Sequence, residues 1–314
     1  MIKTKISLET FENIIIALLR EKGYDTEVVI WEGTGGPEHH LEEKRNENAK
    51  SKRLFISINI EKVYNWYINN LNNGKPPLLD DVVDQIVSDF ETEVPECIAE
   101  SAANIHSWDW AKNRLILALY NTEMHAEYLK GKVYEKIDDL AITPRIYVGE
   151  TSNVMPSTLV DYHMLEDWGI TKEEVMQQAK ISAAQLLPLY VADIESLLFG
   201  FKDKNVIDVN KQKVSDIIKK PSLYAITTNV NSSGASLFYE GVLDELAKIF
   251  GGFFFIIPSS LREVLVMPGD KAMSPEELSA MITDINNIKC VVEPEEVLAN
   301  HGYVYYHGKI SAYV

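Results

Sequence analysis

The stretch 223–267 constrains the fold more than any other part of the chain, because it combines strand and helix signals in a fixed order. An apolar, β-branched strand is followed by a turn-rich loop and by apolar residues at helical spacing up to Phe250. Gly251-Gly252 ends this helix, and the strand that follows, 253–257, is the most apolar run in the protein. Pro258-Ser259-Ser260 then turns the chain into a returning strand, which predicts a β-α-β-hairpin core near the C-terminus.

The whole chain mixes strand and helix signals, so we expect an α+β fold with a mixed sheet and helices packed on it. A strand-helix-strand unit usually crosses over right-handed and gives parallel neighbours, to which the hairpin would add an antiparallel strand. At 314 residues the chain is long enough for about two domains. We expect an N-terminal α+β region (1–202), a charged connector (203–220) and a C-terminal β-α-β-β-α region (221–314). The alternative is one continuous unit.

Several shorter stretches have their own signals. The polar, charged, glycine-containing stretch 33–52 predicts an exposed loop, and 121–129 favours a helix. Asn59 is a suitable N-cap for a helix carrying Val63, Trp66, Tyr67 and Leu71. In the strand predicted over 140–148, Pro144 indicates a sheet edge or a bulge.

The chain is strongly acidic, with 47 acidic and 30 basic residues and a net charge of −17. Such a field repels phosphate backbones and anionic lipids, so we expect neither nucleic acid nor a membrane surface as a partner. The stretch 80–100 contains eight acidic residues and no basic one. It is either a docking face for a basic protein partner or a solvated helix face and loop.

The cellular location follows from what the sequence lacks. The two cysteines, Cys97 and Cys290, belong to no spaced motif, which fits a reducing compartment. The short apolar run 14–19 lies in an amphipathic pattern without a cleavage site. We therefore expect a soluble cytoplasmic protein, and we predict no cofactor and no metal.

Two polar clusters are candidate sites. The loop before the central helix contributes Ser233, Gly234 and Ser236 as candidate ligand-binding residues, because backbone N–H groups at a helix N-terminus hold anions. A capped, tightly packed turn explains the same residues without a ligand. Ser259, Ser260, Glu263 and Asn229 are candidate catalytic residues of a polar site. The alternative is that they are turn hydroxyls and an exposed charge.

Other motifs fail on closer inspection. The glycines of Gly33-Thr34-Gly35-Gly36 lack the Lys-Ser/Thr of a phosphate-binding loop. His39 and His40, with Glu42 and Glu43, are four possible metal ligands close together, but the stretch is hydrophilic and surface histidines explain it better. The remaining histidines are too scattered to predict a catalytic triad.

The order of several motifs resembles a known family. The motifs are Asn59-Ile-Glu-Lys-Val-Tyr-Asn-Trp-Tyr67, Tyr224-Ala-Ile-Thr-Thr-Asn229, Gly234-Ala235, Leu237-Phe-Tyr-Glu-Gly-Val-Leu243, Pro258-Ser-Ser-Leu-Arg-Glu-Val264 and Pro294-Glu-Glu-Val-Leu298. Together they resemble a family of uncharacterised bacterial proteins, mostly from Gram-positive anaerobes, classed as a domain of unknown function. The resemblance covers most of the chain and implies a fold but no activity, substrate or cofactor. The family commonly has His where this chain has Arg262, which argues against proton transfer at that position.

Two functional hypotheses remain open. The first is a binding or interaction protein without its own catalysis, with the acidic stretch 80–100 as its docking face. The alternative is a hydrolase-like enzyme that uses the polar residues around the Pro258-Ser259-Ser260 turn.

Overall fold

The structure is a computed structural model that describes residues 6–44, 56–75, 77–149, 156–194, 205–230, 232–271, 273–288 and 292–314. The chain divides into unit 1, Met1–Ala102, and unit 2, Ala103–Val314. In the described ranges, no helix has the length and apolar character needed to cross a membrane.

The core of unit 1, in the described residues, is built from three amphipathic helices and a small three-stranded antiparallel sheet. Ser7 caps the first helix and Asn59 caps the second, each through a side-chain oxygen that accepts a backbone N–H. One apolar face of each helix packs into a common core that includes Phe11, Ile60 and Val83. The elements are α1 (Leu8–Glu21), β1 (Thr26–Gly33), β2 (Gly36–Glu43), β3 (Ile58–Asn59), α2 (Ile60–Asn72), α3 (Leu79–Phe90) and α4 (Glu96–Asn104), which ends in unit 2.

The exposed loop predicted over 33–52 is wrong in its first half. Thr34 and Gly35 form a two-residue turn, and β2 pairs with β1 from Gly33↔Gly36 to Thr26↔Glu43. Gly36 has a φ of +112°, a conformation that only glycine adopts easily. The charged residues of β2 fit a strand because one of its faces is polar. Residues 45–52 lie outside the described residues.

Unit 2 contains two further sheets with helices packed on them. In chain order its elements are α5 (Trp108–Ala111), β4 (Leu115–Asn121), β5 (Glu135–Ile137), β6 (Leu140–Tyr147), β7 (Ser157–Leu159), α6 (Tyr162–Trp168), α7 (Lys172–Leu186), β8 (Leu189–Asp193), β9 (Asn205–Ile207), α8 (Val214–Ile217), β10 (Tyr224–Thr228), α9 (Val242–Phe250), β11 (Phe253–Ser260), β12 (Glu263–Pro268), α10 (Pro275–Asn286), β13 (Gly302–Tyr306) and β14 (Lys309–Tyr313). Short 3-10 helices lie at Gly234–Phe238, Gly269–Lys271 and Pro294–Glu296.

The larger sheet has seven strands in the order β14-β13-β11-β12-β10-β8-β9. The predicted α+β class and the β-α-β-hairpin core are confirmed. One detail differs, because the hairpin strand β12 lies between β10 and β11 and pairs antiparallel with both. The described pairings of this sheet are all antiparallel, so the expectation of a mixed sheet with parallel neighbours is wrong for the described residues. The reason is that the crossover through α9 joins strands that are not neighbours.

The apolar run in β11 is buried on both faces, as its sequence predicts. Phe254 and Ile256 pack into the main core of unit 2. Phe255 and Ile257 pack on the other face against Leu278 and Ile282 of α10. A strand covered on both sides has no solvent-facing positions, which explains the absence of polar alternation.

The four-stranded sheet corrects two expectations. Pro144 lies in β6, which pairs with β4 along one edge and with β5 and β7 along the other. The Pro144 carbonyl accepts the Val160 N–H. The N–H and C=O of a residue in an antiparallel strand point to the same edge, so the N–H that proline lacks would point into the gap between β5 and β7. Its absence therefore removes no hydrogen bond between paired strands. The stretch 121–129 forms turns after Asn121, not a helix. The Asn121 side chain accepts the N–H groups of Glu123 and Met124, which stabilises a turn.

The predicted connector is part of the packed structure where it is described. β9 extends the larger sheet, and Ile207, Val214 and Ile218 are buried in the core of unit 2. The sheet thus joins strands from both sides of 203–220. Whether the region 221–314 can be separated stays a prediction.

Candidate functional site

The turn between β11 and β12 brings two of the candidate catalytic residues together. The Ser259 hydroxyl is hydrogen-bonded to the Glu263 carboxyl. Burial raises the pKa of Glu263, and the bond from Ser259 opposes this shift only in part. Ser260 is a turn hydroxyl, because its Oγ accepts the backbone N–H of Arg262 at 3.1 Å.

The candidate ligand-binding residues lie in the buried 3-10 helix Gly234–Phe238 and at its cap. The Ser233 Oγ accepts the Ala235 N–H at 3.1 Å and donates to the Leu117 carbonyl at 2.8 Å. The Ser236 Oγ is buried and has no hydrogen-bond partner in the described residues. Gly234 packs against β12, where an added Cβ would lie 3.2 Å from Val264 Cγ1. Close packing thus accounts for the glycine.

These two sets of residues are near each other but do not form one cluster. Val264 faces the main core on the side of the 3-10 helix, so its neighbour Glu263 points to the other face of the sheet. Asn229 is exposed after β10, and its backbone N–H donates to the Pro188 carbonyl at 2.9 Å. Among the described residues, only Ser259 and Glu263 of the four catalytic candidates share a side-chain hydrogen bond.

The two neighbouring histidines of β2 cannot share a metal, because they point to opposite faces of the strand. His39 Nδ1 lies 2.6 Å from Glu12 Oε1. His40 lies between Ser57 Oγ and Glu38 Oε2, each 3.1 Å from a ring nitrogen. The interpretation as surface histidines is therefore incomplete, since both rings are partly buried and hydrogen-bonded. The described part of the chain has no group of three or more His, Cys, Asp or Glu placed to hold a metal ion.

A groove of about 430 Å³ lies between α2 and α3 in unit 1. Val63, Val82 and Ile86 are its apolar lining. The wall on α2 is Trp66, whose side chain is 52 % exposed. An indole exposed beside aliphatic side chains is the kind of surface that protein partners use.

The rim of this groove on α3 is polar and mainly acidic. Asp81, Gln85 and Asp89 follow one another at intervals of four residues, so they form a stripe along the helix. Gln85 donates to Asp89 at 2.9 Å. Among the described residues that line the groove, Lys62 of α2 is the one that is basic.

The acidic stretch 80–100 contains both paired carboxylates and carboxylates that line the groove. Asp84 pairs with Lys22 at 2.6 Å, and Glu91 accepts the Tyr24 hydroxyl at 2.6 Å. Asp81 and Asp89 instead line the groove. The acidic stretch was a candidate docking face in the sequence, whereas Trp66 was named there only as one residue of the predicted helix. The helical register could have indicated that Trp66 is exposed, because Ile60, Tyr67 and Leu71 fill the inward face of α2.

Comparison with known proteins gives a family but no activity. No curated protein and no solved structure matches the chain. The model of a family of unknown function (DUF5688) matches residues 46–307, which include the α2–α3 groove and the β11–β12 turn. The chain therefore belongs to the DUF5688 family of unknown function.

Proposed function

We propose that the protein is a cytoplasmic binding protein without its own catalysis, and that the α2–α3 groove docks a basic, amphipathic helix of a partner protein. The observation that carries this proposal is the exposed Trp66 beside an apolar lining with an acidic rim. An aromatic wall and an apolar floor supply binding energy, and the rim supplies selectivity by charge.

The dimensions of the groove fit a helix. From Asp81 to Asp89 there are eight helical steps, so the stripe is about 12 Å long along α3. A partner helix of similar length presents apolar side chains at positions i, i+3 or i+4, and i+7 to the floor. Its flanking lysines or arginines then lie opposite the two aspartates.

The charge of the whole chain supports a basic partner. A net charge of −17 attracts cationic segments at long range and raises their association rate at low salt. The same charge repels nucleic acid, so we do not expect an RNA or DNA partner.

The test is the binding of a labelled model peptide of roughly four helical turns, with leucines on one face and lysines on the other. We expect tighter binding than for a scrambled peptide of equal composition. Trp66→Ala should weaken binding about 30-fold, because an aromatic anchor at the centre of an interface typically contributes 2 kcal/mol or more. Fluorescence anisotropy of the peptide measures both effects.

Two double variants distinguish binding at the groove from a general attraction of the peptide to the acidic chain. Asp81→Asn with Asp89→Asn should weaken binding roughly 2- to 30-fold, since each rim charge contributes about 0.2–1 kcal/mol. Glu93→Gln with Glu96→Gln removes two charges from exposed positions of the same stretch and should change binding much less. Equal losses in the two variants, or no preference over the scrambled peptide, would show that the groove is not the docking site.

A hydrolase-like activity at the β11–β12 turn is the second candidate. It is favoured by the raised pKa of Glu263, whose carboxyl is hydrogen-bonded to the Ser259 hydroxyl. Small esters are suitable probes for it. If the turn is catalytic, we expect turnover by the parent chain and its loss in both Ser259→Ala and Glu263→Gln. Turnover that survives both substitutions, or no turnover by the parent, argues against it.

A further inference from the structure

We propose that unit 2 contains a second binding site, in which the Arg145 guanidinium and the phenols of Tyr120 and Tyr128 hold a small oxyanion, such as a phosphate or carboxylate group. The observation behind it is a partly buried cation that has only uncharged partners. The site lies in unit 2 and is independent of the groove in unit 1.

Arg145 is positioned by the middle strand of the four-stranded sheet. Ile142 and Ile146 of β6 point into the main core, so Arg145 points to the other face. That face carries Tyr120 and Leu159, which form a small cluster with Leu129. Tyr128 packs against the same cluster, and so does Leu261 of the β11–β12 turn.

The guanidinium makes its hydrogen bonds to neutral oxygen atoms. Its Nε donates to Ser157 Oγ at 3.0 Å, and its Nη2 donates to the Ser157 carbonyl at 2.9 Å. Its Nη1 donates to the Tyr120 hydroxyl and, at 3.5 Å, to the Tyr128 hydroxyl. In the part of the chain that the structure describes, no carboxylate lies within ion-pair distance of Arg145.

The half-buried position of Arg145 makes its lack of a carboxylate partner costly. Acidic residues outnumber basic ones by 47 to 30, and the exposed Arg262 pairs with Glu296. Charges removed from water are normally paired, because their desolvation is costly. Tyr120 cannot supply the missing negative charge, since burial raises the pKa of its phenol. Because the described residues supply no counter-charge, we expect a bound anion to supply it.

The hydrogen-bond inventory leaves donors for such a ligand. A guanidinium has five N–H groups, and the contacts to Ser157, Tyr120 and Tyr128 use four of them. Both phenols accept from Arg145 and are hydrogen-bonded to each other, so that bond uses only one phenol proton. At least one N–H and one O–H thus have no acceptor in the described residues. A guanidinium with a neighbouring hydroxyl is a common arrangement for phosphate and carboxylate recognition.

The experiment titrates inorganic phosphate and, separately, acetate into the full chain, with chloride holding the ionic strength constant. Isothermal titration calorimetry measures the dissociation constant. We expect saturable binding of at least one of the two ions, and the ion that binds identifies the ligand chemistry. Arg145→Gln should weaken this binding about 10-fold or more, because charge-assisted hydrogen bonds are lost.

Two further variants keep the test decisive. Arg262→Gln removes the same charge from an exposed ion pair and should leave binding unchanged. Tyr128→Phe removes one half-buried hydroxyl and should weaken binding about 3-fold, which decides the matter if Arg145→Gln does not fold. The proposal fails if neither ion binds saturably, if Arg145→Gln and Arg262→Gln bind alike, or if Tyr128→Phe binds like the parent.

Discussion

Replacing Phe254 with Ala is expected to lower the free energy of unfolding by about 3 to 5 kcal/mol. Phe254 is fully buried in β11, between β12 and β13. Its ring stacks on Tyr305 with centroids 4.7 Å apart and lies 5.3 Å from the Phe250 ring. Truncation removes these contacts and leaves a cavity that a packed sheet cannot close. Domains have about 5 to 15 kcal/mol of stability in total, so the loss is large.

Chemical and thermal denaturation measure this effect, with Ser259→Ala as the comparison on the same strand. Ser259 is half-buried at the end of β11, and its substitution removes one hydrogen bond to Glu263. We expect that change to cost about 1 kcal/mol or less. If Phe254→Ala melts like the parent, β11 is not a central strand of the core.

The core of unit 2 could be predicted from sequence because its signals are local. The alternation of Phe254 and Phe255 between two faces follows directly from strand geometry. The insertion of β12 between β10 and β11 is a long-range pairing, which no residue of the stretch specifies on its own. The hairpin of β1 and β2 had a local signal in Thr34-Gly35, but the charges of β2 concealed it.

The candidate sites depend more on tertiary structure. The acidic stretch 80–100 is visible in the sequence, but its division into paired and groove-lining carboxylates depends on Lys22 and Tyr24, far away in the chain. Arg145 gave no signal at all. An arginine in a strand is commonplace, and only its hydrogen bonds to Tyr120 and Ser157 in the structure reveal that its partners are neutral.

A second large effect is expected at Asp139, in the turn between β5 and β6. Its Oδ1 accepts the Tyr303 hydroxyl at 2.8 Å, and its Oδ2 accepts the Asn121 amide at 2.7 Å. His301 Nε2 lies 3.0 Å from the same Oδ2. The carboxylate thereby joins the four-stranded sheet to β13 of the larger sheet. Asp139→Asn should cost about 2 to 4 kcal/mol at neutral pH, because an amide replaces a charged acceptor among donors.

The neighbouring Asp138→Asn is the matched control. Asp138 has a φ of +55°, which Asn also adopts readily, and among the described residues its carboxylate accepts one hydrogen bond, from the Ala312 N–H at 2.7 Å. One acceptor oxygen remains after substitution, so we expect a loss below about 1 kcal/mol. Equal losses of unfolding free energy at the two positions would mean that the hydrogen bonds to Asp139 stabilise the protein no more than the single bond to Asp138 does.

The pH dependence of the Asp139 effect identifies its cause. Burial by itself raises the pKa of Asp139, but hydrogen bonds from Tyr303, Asn121 and His301 lower it below the ordinary value. A lowered folded-state pKa means that the stabilisation is complete above the unfolded value of about 3.9 and is lost as pH falls through the folded value. The difference in unfolding free energy between Asp139→Asn and the parent should therefore be constant from pH 7 to about pH 5 and shrink in stronger acid. Denaturant titrations across this range measure it, and a difference that persists in acid would assign the effect to shape, not to the charge.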